Sequence, residues 1–199
     1  MKKILFFAFL ILLQARDPIF RTYLKPIISY DTLFRSYSVK MTENGTFLDK
    51  QSQETIHGTK GEVYNFSQNK SYKSYGLAIG VQKGRKDNFY ELGILHNEEN
   101  TRGFVSGGYT FKNYSRRFVP YIGLCFGVGY KQSSEDLVPA NFSYAGSLGL
   151  HYYSFKRVKL DLSLRYQKNY WRVISHDYGN ENWEDSIFGI NLSALIFVL

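Results

Sequence analysis

From about residue 71 to the C-terminus the chain changes chemical character at every second residue. It does so over segments of roughly ten to fourteen residues, where about five or six is usual for a strand. A period of two means a strand whose two faces meet different surroundings. Leu160, Leu162, Leu164 and Tyr166 alternate with Lys159, Asp161, Ser163, Arg165 and Gln167. The same pattern runs through Tyr75–Val81, Tyr90–Ile94, Val105–Phe111, Phe118–Tyr130, Phe142–Tyr152 and Phe188–Val198. These segments supply seven strands. The first strand of the set is weaker. It lies near residues 32–42, where Tyr37, Val39 and Met41 alternate with Ser36, Ser38 and Lys40, or near residues 59–68. In the first case residues 43–70 form a long polar loop.

The two faces differ in a way that identifies their surroundings. One is aliphatic and aromatic; the other is mostly Gly, Ser and Ala with Lys, Arg, Asp and Glu among them. Small and charged residues suit a narrow polar lumen that bulky groups would overfill. Aromatics gather at the strand ends, at Tyr75, Tyr90, Tyr109, Phe111, Phe118, Tyr130, Tyr152, Tyr166 and Tyr170. Rings with an apolar body and a polar tip favour the two membrane–water interfaces. This explains how 17 Tyr, 16 Phe and 17 Gly coexist with a mean hydropathy of −0.31. That value excludes a bundle of membrane helices, but a barrel averages its two faces. The connections alternate too. Tight turns at 83–88, 113–117 and 154–157 interleave with longer stretches at 43–70, 97–101, 132–140 and 173–185. Such alternation separates a short-turn end from a long-loop end, with both termini at the former.

The N-terminus has its own signals. Lys2-Lys3, an apolar run from Ile4 to Leu13 and a small residue at Ala15 form a secretory signal peptide over residues 1–15. Residues 16–30 are a lead-in. There Asp17-Pro18 is a helix start, and Ile19, Phe20, Tyr23 and Leu24 share one helical face. The lead-in is either a short amphipathic helix or unstructured. The barrel then occupies residues 31–199. The single cysteine, Cys125, excludes an internal disulfide framework, and at its place on the small-residue face it is a filler.

The motif Phe118-Val-Pro-Tyr-Ile-Gly-Leu-Cys-Phe-Gly-Val-Gly-Tyr130, preceded by Gly108-Tyr-Thr-Phe111, resembles strands five and four of small bacterial outer-membrane barrels of the OmpA/OmpX/opacity-protein type. The resemblance covers residues 71–199. It implies an all-β, eight-stranded antiparallel transmembrane barrel in the outer membrane. It also implies insertion by the barrel assembly machinery through the C-terminal strand. That family usually ends on an aromatic residue, whereas this chain ends Phe197-Val198-Leu199 with its apolar ladder on Leu192, Ala194, Ile196 and Val198.

Chemistry is harder to find. A barrel of eight strands is filled by its own side chains, so an open channel is not expected. Glu91, Arg102, Lys112, Lys131, Lys159, Asp161 and Arg165 are the lumen candidates, and as buried charges they should pair into a salt-bridge plug. A lipid A deacylase resembling the PagL family would need His-x-Ser; none of His57, His96, His151 and His176 has Ser two residues later. An amphipathic start resembling the PagP palmitoyltransferases keeps an acyltransferase as the alternative. Ser175-His176-Asp177 holds triad residue types, but adjacent residues seldom converge into a relay. The polar set Asn180, Asn182, Glu184 and Asp185 matches no calcium-loop spacing. No cofactor motif is present. The net charge of +8 is not a nucleic-acid signature, because Lys83, Arg85, Lys86, Arg116, Arg117, Lys156 and Arg157 lie in turns suited to anionic lipid heads. The expected partners are therefore outer-membrane lipids and an extracellular ligand at the long loops. A secreted lipocalin-type carrier is the remaining alternative.

Overall fold

A computed structural model describes residues 20–48, 55–83, 88–98, 100–111, 117–130, 141–153, 157–171, 174–176 and 179–198. The signal peptide expected over 1–15 lies outside them, as do Lys112 and Lys131. Eleven strands are formed: β1 (Phe20–Met41), β2 (Gly45–Leu48), β3 (Thr55–Gly58), β4 (Val63–Lys83), β5 (Phe89–His96), β6 (Thr101–Thr110), β7 (Phe118–Tyr130), β8 (Asn141–Tyr152), β9 (Val158–Trp171), β10 (Ile174–His176) and β11 (Gly179–Phe197). Eight of them, β1, β4 to β9 and β11, form one antiparallel sheet in chain order, and β1 pairs with β11 to close it into a ring. β2 and β3 form a separate hairpin, and β10 folds back onto β11.

The alternation maps onto the two sides of this ring. Leu77, Ile94, Leu124, Leu148, Leu162 and Leu192 point outward and are half or more exposed in the isolated chain. Soluble monomers seldom expose so continuous an apolar surface. Tyr90, Tyr109, Phe111 and Phe118 rim this band at the end that holds both termini. Tyr30, Phe34, Tyr75, Tyr144, Tyr166 and Tyr170 rim it at the other. Several touch in pairs: Tyr109 with Phe111 along one strand end, and Phe118 with Tyr152 and Tyr144 with Tyr170 across strands. A closed ring leaves no sheet edge in this band, which is the condition for strands to cross lipid. The chain is a transmembrane β-barrel.

β1 departs from the sequence expectation. Residues 20–25, expected in a lead-in that is either a short helix or unstructured, are strand, paired with residues 78–83 of β4. The period of two was already present there. Tyr23, Lys25, Ile27, Ser29, Asp31, Leu33 and Arg35 face inward, and Leu24, Ile28, Tyr30 and Phe34 face outward. The inward set mixes apolar and charged residues, so the contrast between faces is lost. A helix of two turns is marginal in water, whereas a strand here gains partners on both sides. Among the described residues the barrel thus begins at Phe20, ahead of the expected start at residue 31. The ladder to β11 lapses only at Lys25 and Pro26, where Pro26 has no N–H to donate.

Neither region expected as a long loop is one throughout. Residues 43–70 hold the β2–β3 hairpin and the start of β4, and residues 179–185 are already β11. The competing segment 59–68 belongs largely to the second barrel strand, not the first. On these stretches the outward residues are Ser36, Ser38 and Lys40 on β1, Asn65, Ser67, Asn69, Ser71 and Lys73 on β4, and Asn182 and Ser186 on β11. The outward face turns polar at matching levels of three adjacent strands. They therefore rise past the lipid band as a wall, while β5 and β6 stop near it. Within the wall, Tyr37, Val39, Met41, Phe47, Trp171 and Trp183 form an apolar cluster, with Ile56, Tyr64 and Phe66 packed on it.

Two measurements check this layout. Leu162→Arg places a cation in the middle of the apolar band and should cost about 2–4 kcal/mol in denaturant unfolding from lipid vesicles, whereas Ser67→Arg on the wall should cost close to nothing. At the base of the hairpin, Glu62 accepts hydrogen bonds from the Tyr64 hydroxyl at 2.6 Å and the Thr59 N–H at 2.8 Å. The Tyr64 bond, with the Thr59 bond second, holds the Glu62 carboxyl below its usual range. Its contribution is present above the ordinary glutamate pKa and lost as pH falls through the lowered one. Amide protection factors in the hairpin, corrected for intrinsic exchange, should therefore fall on acidification, and Glu62→Gln should flatten that dependence.

Candidate functional site in the barrel lumen

Inward side chains come from every barrel strand, and the largest are seated by glycines. A β-carbon at Gly80 would lie 2.3 Å from the Tyr23 ring, one at Gly108 2.2 Å from Phe89, and one at Gly149 2.2 Å from Tyr121. At Gly189 it would meet Asp31 at 2.1 Å. The glycine-rich face thus leaves volume for aromatic and charged groups arriving from opposite strands.

The charges stand in three tiers. Nearest the termini, Lys25 lies 2.9 Å from both Glu91 and Asp161. Glu91 also accepts from the Tyr23 hydroxyl at 2.9 Å and Ser106 at 3.0 Å. Asp161 accepts from Tyr121 at 2.8 Å and Ser193 at 2.9 Å. In the middle, Asp31 accepts from Ser29 at 2.6 Å, Ser74 at 2.5 Å and Arg165 at 2.8 Å. At the loop end, Arg35 makes a two-pronged pair with Asp185 at 2.7 and 3.1 Å, and the Trp171 indole donates to the same carboxylate at 2.7 Å. The Arg35 guanidinium also lies over the Trp183 ring, 5.0 Å from its centroid. Every one of these carboxylates is buried and carries several donors, as a desolvated anion requires.

The sequence-derived residues fall unevenly within this network. Glu91, Asp161 and Arg165 are members. Lys159 is buried beside Gln82, with its ammonium over the Tyr153 and Phe197 rings. Arg102 is buried but forms no ion pair among the described residues. The sequence candidates do not include Lys25, Asp31, Arg35 and Asp185, four of the seven ion-paired groups in these tiers. Three of them lie on β1, partly in the segment whose sequence suggests a lead-in, and Asp185 lies where the sequence suggests a loop. Continuing the period of two back through β1 would have found all three.

His151 is fully buried, 3.7 Å from Asp161 and packed against the Phe89 and Tyr121 rings. It cannot meet a lipid substrate. His96 is exposed at the lipid boundary and its Nδ1 lies 2.8 Å from the Thr101 hydroxyl. It lines an open groove of about 440 Å³ with Tyr30, Ser71, Lys73, Tyr75 and Glu98. Ser71 there contacts the Thr32 hydroxyl at 3.4 Å, and Glu98 pairs with Lys70 at 3.1 Å. No serine–histidine–acid relay is assembled among these groups. The described residues hold no cluster of metal-ligating side chains.

Removing one member of a tier leaves its partners charged and buried. Lys25→Met should cost about 3–5 kcal/mol in equilibrium unfolding, because it strips the cation from two carboxylates at once. Gly149→Val should cost about 1–3 kcal/mol by driving a side chain into Tyr121.

No family model and no curated protein matches the chain. Among solved structures it is similar to Neisserial surface protein A (NspA), at 13% identity and a TM-score of 0.47, over 86% of this chain and 95% of that one. It is also similar to the outer membrane protein OprG of Pseudomonas aeruginosa, at 12% identity and a TM-score of 0.33, over 85% and 96%. A FadL homologue of the same organism aligns at 7% identity and a TM-score of 0.27, over 88% and 90%. These likenesses are distant. The closed antiparallel ring, its apolar band and its aromatic rims are themselves the architecture of bacterial outer-membrane barrels, and they place this chain in an outer membrane.

Proposed function

We propose that the protein is a plugged outer-membrane barrel of the OmpA/OmpX/opacity-protein kind, whose work is structural and done at its loop end. The observation that carries this reading is the stack of charge tiers across the lumen. Lys25, Asp31 and Arg35, all inward on β1, are bonded respectively to β5 and β9, to β4 and β9, and to the neighbouring β11. A conduit for solutes would have to break pairs that are buried and multiply bonded. The tiers act as a plug and as cross-braces.

The wall of β11, β1 and β4 supports the second half of the reading. With the termini on the inner side, the wall and hairpin stand outside the cell. Their apolar cluster and the Arg35–Asp185 pair brace them, and the outward Asn and Ser side chains offer a flat hydrogen-bonding surface to an extracellular partner. The basic turns, of which Lys83, Arg117 and Arg157 are described, then face the inner leaflet and its anionic headgroups.

A lipid A modifying enzyme is the second reading, favoured only by the boundary groove that His96 shares with Ser71 and Glu98. Three measurements separate these readings. Heat-modifiable gel mobility in the membrane fraction is expected, and recovery as a soluble periplasmic protein would overturn the proposal. The purified barrel should show no stepwise conductance in planar bilayers. Lipid A mass spectra should be the same in cells with the protein, without it, and with His96→Ala; a lost or gained acyl chain would establish the enzyme instead.

A further inference from the structure

The lumen's charges do not balance. Its buried cations are Lys25, Arg35, Arg102, Lys159 and Arg165, and its buried carboxylates are Asp31, Glu91, Asp161 and Asp185. Among the described residues the surplus is one positive charge. Arg102 is 4% exposed and has no carboxylate in ion-pair range among the described residues. Its Nε has no hydrogen-bond partner there, and neither has the Nε of Arg165. Both arginines line one internal cavity of about 70 Å³. A cation stripped of water is costly unless an anion or a set of acceptors replaces the hydration.

The surroundings of Arg102 are cleared for it. A β-carbon at Gly127 would lie 2.8 Å from the Arg102 Cδ, and one at Gly129 3.3 Å from its Cα and Cβ. The alternating glycines of β7 therefore make room for a buried guanidinium and for the space beside it. At the terminal end of the cavity Glu91 and Asp161 are already saturated by Tyr23, Lys25, Ser106, Tyr121 and Ser193. The end formed by Arg102 and Arg165 keeps free donors. The cavity has a mixed lining, with Ile27, Leu95 and Phe104 beside the charged groups, has room for more than one water, and is positive where it is unsatisfied.

We propose that this cavity is a binding site for a small inorganic anion of halide size, held between Arg102 and Arg165. The anion completes the plug: it neutralises the surplus charge and supplies the acceptor that both Nε groups lack. It enters as the barrel folds or through breathing of the loop end. Because it binds the folded state, it stabilises that state by mass action.

The test uses the full barrel refolded in detergent with sodium bromide or with sodium gluconate at equal ionic strength. Bromide should raise the unfolding midpoint by about 2–4 °C over gluconate. Arg102→Met should abolish that difference, and Lys73→Gln, on the outer surface, should leave it intact. Crystals grown in bromide should show an anomalous peak within hydrogen-bonding distance of Arg102. Equal midpoints in the two salts, a difference that survives Arg102→Met, or bromide peaks confined to the surface would each overturn the site. If Arg102→Met does not fold, the anomalous peak in the unaltered protein decides.

Discussion

Lipid offers the backbone no hydrogen-bond partner, and the rest of this structure follows from that. Each N–H and C=O in the membrane band must be paired inside the sheet, so the sheet must close. Closure falls to β1 and β11, which pair from Tyr23 with Phe197 to Met41 with Gly179. This seam joins the two ends of the chain, so it cannot form until the C-terminal strand is present. Its length exceeds what the lipid requires, and the excess becomes the wall above the membrane.

Closing the ring creates a second constraint inside it. Eight strands enclose a lumen too narrow for water to solvate charges freely but large enough to need filling. The chain fills it with rings set against glycines and with ions set against each other. The two devices depend on one another. Gly189 leaves the space that Asp31 occupies, and Asp31 then anchors Arg165, Ser29 and Ser74. Such a network gains little over an apolar filling of the same shape, but a half-made one is costly. It therefore ties register to pairing, because a slip of one residue would turn every buried ion out toward lipid.

How much of this could be read in advance varied with the contrast between the two faces. From residue 71 onward, strand by strand, the outward and inward residues are those that alternation indicates, including His151 and Cys125 on the lumen side. Above the lipid band, on residues 63–70 and 179–185, the inward rings Tyr64, Phe66 and Trp183 stand scattered among polar residues and the outward face is mostly Asn and Ser, so the sequence reads these stretches as loop. Where the inward face mixes Lys25, Ile27, Asp31 and Leu33, it resembles neither a core nor a polar surface. The Phe197 ring illustrates the opposite error of emphasis. The terminal aromatic faces inward against Tyr23, and Val198 takes the outward place.

Alternation in the chain was enough to establish an all-β transmembrane barrel, seven of its eight strands and which of their residues meet lipid, because a period of two needs only local geometry and two unlike surroundings. Which charge pairs with which was decided by the tertiary structure alone. Lys25 meets Asp161, Arg35 meets Asp185 and Arg165 meets Asp31 across more than a hundred residues of chain, as roughly follows when ring closure brings the first strand beside the last. The same closure leaves Arg102 without a carboxylate among the described residues, because partners across a barrel are set by strand order and register rather than by sequence neighbourhood.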